Sequence, residues 1–266
     1  MDMDTEIKQL NDSIMVADLP NLDRVIIFGS IIYGEFVQKQ SDLDVFVSFC
    51  TNDISSIIES LLLLKQISQR TIGIQNVDIT CAKVSEISNS NCVINPFLYE
   101  LISKGQIVRG KPLPNIFHKN AIVADCWNIA KRGLTELRSM VCRLRTPKPS
   151  MLFRSCDEVL FRTAKALLTI LTRDICISRN QVVEIIQEKE IGDDDVFKEI
   201  LDLRKLLSCM NDEETISRCE SIVVRGMHVL DNMYSYVADA IIGGEQNNLS
   251  NLIFKEVSVP LYEKEP

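Results

Sequence analysis

With 266 residues, 46% of them apolar and 25% charged, the chain is long enough for two ordinary globular domains. A mean hydropathy of +0.07 with 10 Gly and 8 Pro excludes a disordered or low-complexity chain. The formal net charge of −8 argues against a protein that coats nucleic acid, although it leaves room for a local basic patch.

Nine cysteines are scattered without a CxxC pair, and only His118 and His228 accompany them, so no zinc constellation assembles. Most lie in apolar stretches, which reads as buried thiols in a reducing, cytoplasmic setting. The N-terminal run Met1-Asp2-Met3-Asp4 is acidic and unlike a signal peptide. The most apolar run, Ile57 to Ile67, is broken by Glu59 and Lys65 and is too short for a bilayer. The expectation is a soluble protein with no membrane partner.

Taken in chain order, residues 4–17 read as a helix and Arg24 to Phe28 as a β-branched strand stopped by Gly29. A short helix is predicted from Ser30 to Val37, then a polar connection and a second strand from Leu43 to Phe49. Asn52 or Asp53 can cap a helix running to about Ser68. Ile72 to Lys83 reads as a third strand, 95–104 as a helix ended by Gly105, and Gln106 to Arg109 as a last short strand. Beyond Pro112 the pattern changes. Trp127, Ala130, Leu134, Leu137, Val141 and Leu144 recur at helical spacing, and 151–173, 180–190, 195–209 and 213–242 continue as helices. The predicted class is therefore α+β, with a small mixed-sheet domain over 1–112, a helical bundle over 113–244 and a tail over 245–266.

The chemistry concentrates in the first domain. Successive strand side chains point to opposite faces, so Asp42 and Asp44 share one face while Leu43 and Val45 enter the core. Neighbouring carboxylates repel, and magnesium removes that penalty because it prefers hard oxygen ligands. Asp78, flanked by Val77 and Ile79, repeats the pattern on another strand. Upstream, Gly29-Ser30 ends a strand and opens a predicted helix, whose N-terminal N–H groups suit a phosphate. Glycine permits close backbone approach and the Ser30 hydroxyl adds a donor. Each piece alone is weak; their order and spacing together are specific.

Phe28-Gly29-Ser30, then Gly34, then Ser41-Asp42-Leu43-Asp44 resembles the signature of the DNA polymerase β-like nucleotidyltransferase superfamily, with Asp78 matching its third carboxylate. Minimal and antibiotic nucleotidyltransferases share this core. The helical remainder is similar in general character to HEPN or kanamycin-nucleotidyltransferase bundles. Many minimal members have an arginine where this chain has Tyr33. The resemblance implies a magnesium-dependent enzyme that transfers a nucleoside monophosphate from a triphosphate, by default ATP, to an unread acceptor. It assigns Asp42, Asp44 and Asp78 to catalysis and to two magnesium ions, and Gly29, Ser30, Lys39 and Ser41 to the nucleotide.

In the helical half, Lys131, Arg132, Arg138, Arg143, Arg145, Lys148 and Arg154 crowd a segment whose one acid is Glu136. A solvated helix face is the favoured reading, ahead of a phosphate wall or an RNA surface over 131–154. Glu158 is a faint candidate for an acceptor-side base. Spacings between arginines and His228 do not fit the HEPN ribonuclease pattern. Two other readings stay open: a non-catalytic, antitoxin-like nucleotide-binding module, and transfer to an RNA end. A homodimer is also open, and the apolar tail around Leu252 to Phe254 suits packing against a partner or against its own bundle.

Overall fold

The structure, a computed structural model, describes residues 3–37, 41–72, 76–84, 86, 96–113, 119–141, 148–175 and 177–242. Lys39, Arg143, Arg145, His118 and the tail lie outside the described residues. The chain divides into two compact units, 1–117 and 118–266.

The first unit runs α1 (Met3–Val16), β1 (Leu22–Phe28), a 3₁₀ turn (Gly29–Ile31), β2 (Leu43–Phe49), α2 (Ile54–Ile72), β3 (Val77–Lys83), α3 (Pro96–Ser103) and β4 (Gln106–Arg109). The sheet has the order β3-β2-β1-β4, with β1 antiparallel to both β2 and β4 and β2 parallel to β3. A parallel pair needs a long crossover, and α2 supplies it.

Strand alternation builds two apolar layers. Val25, Ile27, Leu43, Val45 and Val47 pack with Leu10 and Ile14 of α1 and Leu64 of α2. On the opposite face Ile26 and Phe46 are covered by Leu101 of α3 and by Leu113. The second layer is the smaller, and the same face continues to the edge where β1 ends and β2 and β3 begin.

Two sequence expectations change. The helix expected from Ser30 to Val37 is one 3₁₀ turn, Gly29–Ile31. Gly29 and Gly34 stand at φ +75° and +69°, so left-handed residues bracket a segment too short to propagate an α-helix. The strand expected from Ile72 starts at Val77 instead, because α2 continues through Ile72. Its buried stripe of Ser60, Leu64 and Ser68 carries the helical spacing to the point where Gly73 follows in the sequence.

The second unit contains α4 (Lys119–Val141), α5 (Pro149–Thr172), α6 (Arg179–Lys189), α7 (Asp195–Leu206), a 3₁₀ turn (Leu207–Cys209) and α8 (Asp212–Ile242). Helix α5 is central, with Leu152, Phe153, Leu160, Phe161, Leu167 and Leu168 all buried. Glycines let its neighbours approach closely. A Cβ at Gly133 of α4 would stand 1.9 Å from Thr163 Oγ1, and one at Gly226 of α8 would stand 2.4 Å from Leu160 Cδ2. A reciprocal capping box starts α6, where Gln181 N donates to Ser178 Oγ at 3.1 Å and Ser178 N donates to Gln181 Oε1 at 2.8 Å. No helix among the described residues is long and apolar enough to cross a membrane.

Asp157 of α5 is buried and forms ion pairs with Arg204 of α7 and, at 3.4 Å, with Arg179 of α6. The Arg179 guanidinium also lies 5.5 Å from the Phe161 ring centroid. One carboxylate thus ties three helices. Asp157→Ala is expected to lower unfolding stability by about 3–5 kcal/mol, the scale for removing one partner of a buried pair. A urea melt reads the loss, and adding Arg204→Met is expected to recover part of it.

Cys126, Cys156 and Cys219 are buried, whereas Cys50, Cys81 and Cys209 are exposed. Burial pushes the Cys126 thiol up to about 12, with the Asp125 charge adding to it. The Cys156 thiol is also pushed up, through its hydrogen bond with Cys219 and then by burial. A thiol reagent at pH 8 is expected to modify Cys50, Cys81 and Cys209 in the native protein and to spare the buried three until urea is added. Peptide mass mapping distinguishes the two sets.

Candidate active site

The site grows from strand register. Asp44 is the second residue of β2 and Asp78 the second residue of β3, and the parallel ladder sets them directly opposite each other. On its other side Asp44 lies opposite Phe28, the last residue of β1. Asp42 precedes β2 by one residue. Asp42 and Asp44 are half-buried and Asp78 is exposed, so the row of acids opens outward along the edge strand.

Immediately after Phe28, Gly29 turns the chain across Asp44. A Cβ at Gly29 would stand 2.0 Å from Asp44 Oδ2 and 2.8 Å from its carboxyl carbon. Together with φ +75°, this makes glycine necessary here for both space and backbone conformation. Ser30 follows and is 9% exposed. Its carbonyl accepts from Glu35 N at 2.9 Å, and Gly29 O accepts from Ile32 N at 3.1 Å. A three-residue turn has little macrodipole, so any affinity for phosphate here rests on local N–H groups and the Ser30 hydroxyl. Ser41 is 8% exposed and bonded to Val37 through both its backbone N–H and its Oγ.

The backbone sets Asp44 opposite Asp78, with Asp42 one residue before β2, and does not draw the three into one tight cluster. Among the described residues, the trio with ligand atoms all within 4.8 Å of one another is Asp193, Asp194 and Asp195. Those acids serve their own helix: Asp195 N donates to Asp193 Oδ1 at 3.0 Å, and Lys198 Nζ lies 2.6 Å from Asp194 Oδ2 at the α7 N-terminus. At the sheet edge the donors are carboxylates on adjacent strands beside a glycine turn. That hard-oxygen set suits magnesium, which keeps waters and shares substrate phosphates.

In the helical unit, Arg138 pairs with Asp231 at 2.7 Å, and Lys131 lies 5.5 Å from the Trp127 ring centroid. Trp127 in turn stacks on Tyr234 at 4.4 Å. Glu136 is held by Arg162, which also reaches Glu158 at 3.2 Å. Arg138 of the basic segment and Glu158 are therefore engaged in ion pairs within their own unit. His228 is exposed on α8, and Arg225 pairs with Glu199. Sequence reading missed the buried Asp157 with its arginines, since nothing in the spacing of 157, 179 and 204 announces a shared partner.

A four-stranded mixed sheet with carboxylates on two adjacent strands at one edge, followed by a helical unit, is an α+β architecture. A solved structure with this fold is spectinomycin adenyltransferase AAD(9) from Enterococcus faecialis with ATP and spectinomycin. It aligns at a TM-score of 0.50 over 86% of this chain and 98% of that one, with 15% sequence identity. At that identity the likeness is one of fold. No family model matches the sequence, and no curated protein is significantly similar to it.

Gly29→Ala is expected to lower stability by roughly 1–3 kcal/mol, through a left-handed non-glycine residue and the collision with Asp44. Adding Asp44→Gly removes the collision and leaves the backbone strain. Denaturant melts of the single and double variants are expected to show partial recovery in the double.

Proposed function

We propose that the chain is a magnesium-dependent nucleotidyltransferase that moves a nucleoside monophosphate, AMP from ATP, to a hydroxyl of a small molecule or protein and releases pyrophosphate. The observation that carries this reading is the in-register pair Asp44 and Asp78 with Gly29 seated against the Asp44 carboxylate. Like charges set opposite each other on adjacent strands have no structural benefit that offsets their repulsion. The choice of ATP and of a small acceptor is supported by the fold neighbour, a protein solved with ATP and spectinomycin.

In this mechanism the acceptor hydroxyl oxygen attacks the α-phosphorus, and the bond from that phosphorus to the bridging oxygen of pyrophosphate breaks. Asp42, Asp44 and Asp78 would hold two magnesium ions. Bound there, the metal supplies positive charge that stabilises the attacking and leaving oxygens of an in-line displacement. Asp78, the most exposed of the three, accepts the acceptor's proton. Gly29 allows the triphosphate to approach the backbone, and Ser30 orients its outer phosphates with N–H and hydroxyl donors. Lys39 adds charge complementarity by this reading.

The test is release of labelled pyrophosphate from each nucleoside triphosphate with magnesium, with and without candidate hydroxyl acceptors. Asp42→Ala and Asp44→Ala are expected to fold like the wild type and to show no turnover above background. Near-normal turnover in either variant, or no triphosphate binding by the wild type, overturns the reading.

A further inference from the structure

The resemblance assigns Ser41 to the nucleotide, but its contacts point to another task. We infer that Ser41 is a positioning residue for Asp42, acting through the turn it closes with Val37; this rests on the metal site proposed above. Ser41 is nearly buried at 8% exposure. Its Oγ accepts from Val37 N at 2.9 Å, and its own N–H donates to Val37 O at 2.8 Å. These two bonds join Ser41, one residue before Asp42, to Val37.

The far side of Asp42 is fastened too. Leu43 N donates to Asn76 O at 3.0 Å, and Asn76 lies two residues before Asp78. Asp42 itself precedes β2, which begins at Leu43. Set just outside the strand, Asp42 also needs its backbone anchored on the N-terminal side. The Ser41 turn supplies that anchor. The same loop is tied at its start, where Glu35 N donates to Ser30 O at 2.9 Å. The connection from the Gly29-Ser30 turn to the acids is therefore bonded at both ends. A serine oxygen already accepting a backbone N–H orients chain, much as outer-shell groups orient metal ligands.

Manganese is the probe, since its free ion is counted directly by electron paramagnetic resonance. Ser41→Ala is expected to weaken manganese binding about 10-fold or more, the scale for losing an outer-shell partner, while Ser41→Thr, which keeps the hydroxyl, stays within about threefold of wild type. ATP binding in excess chelator is expected to be equal in all variants, which separates positioning of a carboxylate from contact with the nucleotide. Should Ser41→Ala fail to fold by circular dichroism, Ser41→Cys preserves the volume with a poor acceptor and carries the same expectation. A folded Ser41→Ala or Ser41→Cys protein with wild-type manganese affinity overturns the inference, as does a loss confined to chelator-resistant ATP binding. A wild type that takes up no manganese is a different result: it removes the proposed metal site itself.

Discussion

The contact between Gly29 and the Asp44 carboxylate is the constraint around which the first unit is arranged. Asp44 reaches it because β2 lies between β1 and β3, so the last residue of β1 and the second residue of β3 both face it. A side chain at position 29 would occupy the space of the carboxylate, and an L-residue would be strained at φ +75°. Two requirements therefore fall on one residue. The apolar layers behind the sheet hold that register, because a slip of one residue along β2 would move Leu43 and Val45 out of the core and turn Asp44 inward.

The helical unit solves a different problem. Its central helix α5 is apolar around most of its circumference, so neighbours must cover it on several sides. Gly133 and Gly226 permit close crossings, and Thr163, facing Gly133, satisfies its hydroxyl by donating to Val159 O at 2.6 Å. Asp157 is the charged residue among those that α5 buries. A buried carboxylate is costly unless paired and hydrogen-bonded, and arginines from two further helices meet that condition. The same unit takes up Arg138 and Glu158 in ion pairs, which gives these charges a structural occupation independent of any ligand.

The elements were largely legible in the sequence because their patterns are local. Alternation of Leu43, Val45 and Val47 marks a strand with one buried face, and the three-and-four spacing from Trp127 marks a long helix. Departures occur where local pattern and chain geometry compete. Ser30 to Val37 has helical composition, yet Gly29 and Gly34 in left-handed conformations confine it to a single 3₁₀ turn. Ile72 fits a strand by composition, but the buried stripe of α2 extends the helix through it.

By itself the sequence determined the periodicities and the change of texture beyond Pro112, and it raised Asp42 and Asp44 as a candidate pair, since these depend on spacing along one chain. Which residue on another strand joins them was decided by tertiary structure alone, because pairing Asp44 with Asp78 requires β3 to return parallel to β2 in one register. The same holds for Asp157 with Arg179 and Arg204, whose attraction acts across helices far apart in sequence. At the opening feature of the site the two levels meet: a glycine after a strand is legible as a turn, but its fit against a carboxylate exists only once the strands are paired.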